Sequence, residues 1–355
     1  MAELTYRQAV AAALAQEMAR DDRVVLLGED VASGGVFKTT GGLRERFGAD
    51  RVRNTPISEQ AIAGAAMGAA MAGLRPVAEI MFSDFYATCW DQVANEIAKV
   101  RYMTGGQVSL PLVLRGANGS GGLGFGSQHG QSVENWAMTV PGLKIASPAG
   151  PAEAFGLLAA AIRDDDPVMV FEHKALYGRK EEIGDGEQVV PLGQARTVRA
   201  GRDVTLVGLS ITVGTCLAAA QELAAEGIEA EVIDLRTLVP LDAATVLASV
   251  ARSGRLVVVE ENPGQLGWGA SVAAIAAQEA FGSLTAPVTR VSGGNVPLPV
   301  AASLEAEVDV SVARVTGAVR GVLGASRPLS STGEQSGTGE QSSRRAEQYQ
   351  SEQKG

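Results

Sequence analysis

Short apolar strands alternating with helical patterns place this chain among α/β proteins, as two doubly wound domains. Two further observations carry that assignment. The strand-like runs are continuously apolar rather than alternating, the mark of parallel strands buried on both faces. The whole pattern occurs twice, on either side of a Gly-, Glu- and Arg-rich stretch over residues 178–202.

Residues 4–20 carry an amphipathic helical pattern, with Thr5 placed to cap it. Val24–Glu29 is a short buried strand ending in an acid. Similar strands recur at Pro76–Ile80, Leu112–Leu114, Leu143–Ile145 and Val168–Phe171, with helices over 86–103 and 151–163 between them. After the break, strands fall at 204–209, 230–235, 255–260 and 287–291, and helices at 213–226, 242–252 and 268–281. The boundaries are a first domain over 1–180, a linker over 181–202 and a second domain over 203–325. Residues 326–355 are Ser-, Gly-, Glu- and Gln-rich, nearly repeat STGEQ as GTGEQ, and lack apolar periodicity. They read as a disordered tail, with an expression scar or a species-specific extension as equal alternatives.

The chain has 355 residues, is 46% hydrophobic and 20% charged, and carries a formal net charge of −10. That balance disfavours nucleic acid or an anionic membrane as the main partner. No apolar run of membrane-spanning length and no signal peptide is visible, so a cytoplasmic location is expected. The two cysteines, Cys89 and Cys216, lie in apolar helical surroundings and read as buried free thiols. Any chemistry needing imidazole must use one of two histidines, His129 or His173.

Thr55-Pro56-Ile57-Ser58-Glu59-Gln60 leads into AIAGAAMGAAMAG. Pro56 ends regular pairing, Ser58 is placed to cap a helix, and Glu59 falls in its first turn, where the helix dipole favours a carboxylate. Ala61, Gly64, Ala65, Gly68, Ala69 and Ala72 leave that helix almost without side chains. It suits a place where another backbone or a ligand comes close; an ordinary capped core helix is the alternative. The stretch from Arg115 to His129 is Gly-rich, and Gly119, Gly121 and Gly124 match G-x-G-x-x-G. No helix opens at the third glycine and no acid follows at the required distance, so a mobile loop near a ligand fits better than dinucleotide binding. His129 at its end is either a proton donor and acceptor or a surface residue with no task. Gly184-Asp185-Gly186 lies in the linker, and the chain has no asparagine between Asn135 and Asn262 to complete a diphosphate–metal motif; it reads as a turn. Phe82, Phe85, Tyr86 and Trp90 form an aromatic cluster in which Phe85, between strand and helix, is placed to face a cleft.

In order, the chain carries GEDV at 28–31, TPISE at 55–59, EIMFSDF at 79–85, DQV at 91–93, QH at 128–129, PGLK at 141–144, AIRDDDP at 161–167 and VEE at 259–261. Over about residues 4–324 this series resembles the beta subunit of the two-subunit, thiamine-diphosphate-dependent 2-oxo acid dehydrogenases, the decarboxylating components of the pyruvate, branched-chain and acetoin complexes. The resemblance implies a thiamine-diphosphate pyrimidine-binding domain followed by a transketolase C-terminal-like domain. It implies an α2β2 heterotetramer in which the alpha subunit holds magnesium and the diphosphate, and a lipoyl-bearing acyltransferase core engaged through the C-terminal domain. Glu59 is implied to hydrogen-bond the aminopyrimidine ring nitrogen and favour the cofactor's imino tautomer. Phe85 is implied to stack on that ring, with Ile57 and Met81 packing near it. His129 is implied to act on the substrate side, and Glu29 to stand behind Glu59. Leu112, Ala161, Ile162, Asp164 and Asp166 resemble a structural potassium site; the family often has Asn where Asp166 stands, and Ser where Gly130 follows His129.

Pyruvate is the first choice of substrate. Branched-chain members commonly carry Gln at the position of Met81, whereas EIMFSDF and Phe171–Tyr177 lean toward acetoin-type members. Two other expectations stand beside this one: a stand-alone thiamine-dependent acyl transferase or carboligase subunit, and a non-catalytic subunit that only supports assembly.

Overall fold

A computed structural model describes residues 2–325; the tail expected over 326–355 lies outside them. The chain divides into two compact units, one of Met1–Leu192 with Leu298–Val300, the other of Gly193–Pro297 and the chain from Ala301.

The first unit opens with β1 (Ala2–Thr5) and α1 (Tyr6–Arg20). Thr5 and Gln8 close a capping box: Thr5 Oγ1 accepts from the Gln8 amide, and Gln8 Oε1 from the Thr5 amide at 2.9 Å. Tyr6, Ala9, Val10, Ala13, Leu14 and Met18 recur at helical spacing and are all buried. Each large member contributes about 1.5–3 kcal/mol of transfer free energy. Then come β2 (Val24–Gly28), α2 (Leu43–Phe47), β3 (Val52–Asn54), α3 (Glu59–Met71) and β4 (Arg75–Phe82). After them follow α4 (Val100–Met103), β5 (Val113–Asn118), α5 (Glu134–Met138), β6 (Lys144–Ala146), α6 (Pro151–Arg163), β7 (Val168–His173) and β8 (Lys180–Ile183). Within the unit the main sheet runs β6-β7-β5-β4-β2-β3, every pair parallel. All residues of β5 and β7 are buried, as a sheet covered on both faces requires.

The helix expected over 86–103 is not continuous. Ser83–Cys89 is a 3₁₀ segment, Gln92–Ile97 a π-helical one, and only α4 is α-helical. Ala98 donates to Val93 O, five residues back, at 3.1 Å. Val93, Ala94 and Ile97 of this wide turn are buried. Ser58 occupies the N-cap position of α3, yet its side chain makes no capping bond, against expectation.

The second unit comprises β9 (Arg196–Arg199), β10 (Val204–Gly208), α7 (Ile211–Ala224), β11 (Ala230–Asp234) and β12 (Thr237–Val239). It continues through α8 (Ala243–Ser253), β13 (Leu256–Pro263), α9 (Gly269–Glu279), β14 (Thr289–Gly293), α10 (Ala302–Val308) and α11 (Val312–Gly324). Its sheet runs β14-β13-β10-β11-β9, parallel except for the edge strand β9. Leu206, Val232, Val257 and Val259 pack with Cys216 and Leu223 of α7 and with Val315 and Val319 of α11. The stretch expected as a linker supplies two strands: β8 pairs antiparallel with β1, and β9 with β11. Their charged, short segments suit exposed edges. Among the described residues no helix is long and apolar enough to cross a membrane.

Candidate active site

The sequence-predicted residues other than those of the 161–166 turn gather where parallel strands end, the usual ligand-binding edge of an open α/β sheet. Glu29 follows β2, Glu59 begins α3 just after β3, Met81 and Phe82 close β4, Phe85 follows it, and His129 lies in the loop after β5. The Thr55 amide donates to Gly28 O at 3.0 Å and Asn54 Oδ1 accepts from the Ala32 amide at 2.7 Å, which ties the exits of β2 and β3 together. α3 packs against the Ser83–Cys89 segment that carries Phe85.

Glu59 is half-buried at the first position of α3, and no described residue hydrogen-bonds its carboxylate. Glu29 is buried. Burial first, then the charges of Glu59, Asp30 and Glu79, raise its pKa above the usual carboxylate range. Burial and the Glu59 charge likewise push the Cys89 thiol up to about 12, so it is an inert core thiol. Cys216 is also free and buried. Ile57 is 81% exposed, and Met81 and Phe85 are half-buried.

His129 sits edge-on to two rings, 4.8 Å from Phe82 and 5.2 Å from Phe85 between centroids. Phe82 also meets Phe85, Phe37 and Phe125. The Lys174 ammonium lies 5.4 Å over Phe82 and 5.0 Å over Phe125, a cation–π arrangement. Beneath this edge lies a buried ionic cluster absent from the sequence expectations. Arg115 is 2% exposed, forks onto both oxygens of Glu172 at 2.8 and 2.7 Å and bonds Glu79. Tyr177 donates to Glu172 at 3.1 Å. Burial disfavours the Arg115 charge, but Glu172 and Glu79 outweigh it and hold its pKa well above the usual value. The signal was present: VAEI, VLRG and VFEH each carry one charge inside an apolar strand, and such charges must pair when buried.

Leu112, Ala161, Ile162, Asp164 and Asp166 belong to a different place, the end of α6. Ile162 O and Asp164 O both accept from the Arg75 guanidinium, at 2.9 and 2.7 Å. Ala161 O accepts from the Asp164 amide and Leu112 O from the Val168 amide. Lys144 bonds the carboxylates of Asp164 and Asp166, and Arg101 pairs with Asp166. The carbonyls of Leu112, Ala161, Ile162 and Asp164 each already accept from a protein donor, so a monovalent cation there would use the second lone pair of these oxygens. Among the described residues, no group of three or more His, Cys, Asp or Glu side chains is placed to hold a metal ion.

A free carboxylate, a half-exposed ring and apolar Ile57 and Met81 on adjoining strand ends fit the flat aminopyrimidine part of thiamine diphosphate. Two open-sheet units in tandem, each matched by a transketolase domain, make this a transketolase-like protein. Residues 2–180 match the transketolase pyrimidine binding domain and 193–315 the transketolase C-terminal domain. A split gene transketolase, solved as an inactive beta4 tetramer, aligns with a TM-score of 0.76 at 25% identity, over 91% of this chain and 100% of that one.

The chain is 44% identical to the mitochondrial pyruvate dehydrogenase E1 component subunit beta of Dictyostelium discoideum, over 90% of this chain and 91% of that protein. It is 46% identical to subunit beta-1 of the Arabidopsis thaliana enzyme, over 85% of each. It is 44% identical to the acetoin:2,6-dichlorophenolindophenol oxidoreductase subunit beta of Cupriavidus necator, over 90% of this chain and 97% of that one. The chain belongs to the family of pyruvate dehydrogenase E1 beta subunits, in which the acetoin oxidoreductase beta subunit is a related member.

Proposed function

We propose that this chain supplies the aminopyrimidine side of a thiamine diphosphate site in a 2-oxo acid dehydrogenase, with pyruvate as substrate. The observation that carries this reading is the Glu59 carboxylate, half-buried at a helix start, without a hydrogen-bond partner among the described residues, beside buried Glu29. When bound, the cofactor supplies the electron sink for decarboxylation. Glu59 accepts or shares a proton at the pyrimidine ring nitrogen. Glu29 stands behind Glu59, and burial with the Glu59 charge raises its pKa above the usual carboxylate range. Phe85 offers its ring face, and Ile57 and Met81 exclude water from the same side. His129, held by Phe82 and Phe85, transfers a proton on the substrate side or during acyl transfer to a lipoyl group.

An alpha subunit completes the site in this reading. It brings magnesium and the diphosphate contacts in an α2β2 assembly, and a lipoyl-bearing acyltransferase binds the C-terminal domain. The exposed, nearly bare face of α3 (Ala61, Gly64, Ala65, Gly68) suits close packing of another chain. The assembly works in the cytoplasm. Potassium at the end of α6 would add to, not replace, the Arg75 contacts. The acetoin reading is favoured by one observation, the 44% identity over 97% of the acetoin oxidoreductase beta subunit.

Co-expression with the neighbouring alpha-type gene, followed by turnover assays on pyruvate, acetoin and 2-oxoisovalerate, tests the substrate. Turnover of acetoin alone would replace pyruvate by the second reading. Full decarboxylation activity of the assembly carrying Glu59→Gln would remove the role given to Glu59.

A further inference from the structure

The loop that bears His129 is fixed at its stem. The Gly119 amide donates to Gln131 O at 3.1 Å. Asp84 Oδ1 accepts from the Gln131 amide and from its Nε2, at 3.1 and 2.9 Å. The Val133 amide donates to Asn118 Oδ1 at 3.2 Å. Above that stem the backbone turns through positive φ at Gly121, Gly122, Gly124 and Gly126, so its own torsions do little to hold it.

Contacts from opposite sides hold the loop instead. Inside, Phe125 packs 6.0 Å from Phe82 and 6.4 Å from Phe37. Outside, the chain returns as Leu298–Val300, which belongs to the same compact unit. Ser127 Oγ donates to Leu298 O at 2.8 Å. A Cβ at Gly126 would lie 2.8 Å from Val300 Cγ2, one at Gly124 3.1 Å from Val300 O, and one at Gly130 3.2 Å from Leu298 Cδ1. The loop therefore presents bare backbone at three points where the returning segment touches it. That segment is stiff: Pro297 and Pro299 fix their φ, and Pro299 holds Leu298 extended, with its carbonyl available.

We propose that Leu298–Val300 is a strap that sets the posture of His129, with Ser127 and Leu298 as positioning residues. Gly130 makes room for the Leu298 side chain. Ser127 itself contacts no ring of the Phe82–Phe85 cluster, so the strap acts on His129 through the loop. The proposal rests on the role given to His129 above.

The test uses the chain co-purified with its alpha-type partner. Ser127→Ala should speed hydrogen exchange of residues 119–131 and lower kcat/KM roughly 2- to 10-fold, the rate equivalent of one net hydrogen bond. Thiamine diphosphate affinity and Tm should stay at wild-type values. Ser127→Thr, which keeps the hydroxyl, should restore both exchange and rate. A second pair guards against a local accident: Gly126→Ala should be impaired, and Val300→Ala added to it should recover part of the loss. Unchanged exchange over 119–131 in Ser127→Ala overturns the strap; the positive φ of Gly126 leaves part of the Gly126→Ala loss beyond the reach of Val300→Ala. Full activity of His129→Ala would overturn the role of His129 alone, because the exchange data still decide the strap.

Discussion

His129 packs edge-on against Phe82, with centroids 4.8 Å apart and planes at 83°. The imidazole is thereby held by the last residue of a central strand rather than by its own loop. An aromatic pair of this kind is worth about 0.5–1.5 kcal/mol beyond its buried area. Phe82→Leu should therefore lower kcat/KM of the assembled enzyme roughly 2- to 10-fold. Cofactor affinity should fall by less, since Phe82 packs against Phe85 at 5.5 Å but Glu59 lies on another segment. Steady-state kinetics beside a cofactor titration checks both halves.

Glu29 carries a pH signature. Burial and neighbouring carboxylates raise its pKa in the folded state. Between the usual carboxylate range and that raised value the folded chain binds more protons than the unfolded one, so this group's contribution to stability falls as pH rises through the interval. Glu29→Gln should accordingly stabilise the chain at neutral pH. The gain should vanish below the usual carboxylate range, where both states are protonated. Denaturant midpoints of variant and wild type across that span test the sign. A variant less stable than wild type at neutral pH would contradict it.

Arg75 closes the end of α6. Its guanidinium serves Ile162 O, Asp164 O and Asp165 while largely buried. These carbonyls sit where a helix leaves its acceptors unpaired. Arg75→Gln should cost about 3 kcal/mol of unfolding free energy, the scale of charge-assisted bonds lost in a buried setting. Potassium chloride, compared with choline chloride, should recover part of that loss if a cation reaches the same oxygens. Equal Tm in both salts would remove potassium from the turn.

Arg115 balances two buried acids. Arg115→Met leaves Glu79 and Glu172 without their cation, and should destabilise the chain by about 3–5 kcal/mol. Adding Glu172→Gln should return part of this, because one of the two stranded charges is gone. Urea unfolding of the single and double variants gives the coupling.

Sequence patterning placed the buried parallel strands well, because β4, β5 and β7 are apolar on both faces and leave no other reading. It failed where side-chain hydrogen bonds or pairing partners decide. The 86–103 helix splits into 3₁₀, π and α segments although its composition suits a continuous helix, and the side-chain spacing of Val93 and Ile97 does not explain the π-turn. The capping bond of Ser58 does not form, although the residue type is right. β8 and β9 were hidden because edge strands need only one neighbour and tolerate charge. α10 and α11 followed the last expected strand and were not anticipated. At the site, Glu29, Glu59, Phe85 and His129 were singled out by position in motifs. Their support from Phe82, Phe125 and Leu298 was not, because it depends on contacts between distant segments.

α3 shows one face of Ile62, Ala63, Ala66 and Ala70 to the core, and the middle of the opposite face, Ala61, Gly64, Ala65 and Gly68, offers only methyl groups and backbone, with Gln60 and Met71 at its ends. A protein docking on that second face would freeze almost no rotamers on this side, where immobilising an ordinary side chain costs about 0.5–1.5 kcal/mol. Recognition there is thus a matter of contour alone. It leaves little room for gradual tuning at its centre: a methyl added at Gly64 or Gly68 would stand between the backbones of a docked pair, and only Gln60 and Met71, at the ends of the face, have longer side chains to swing aside.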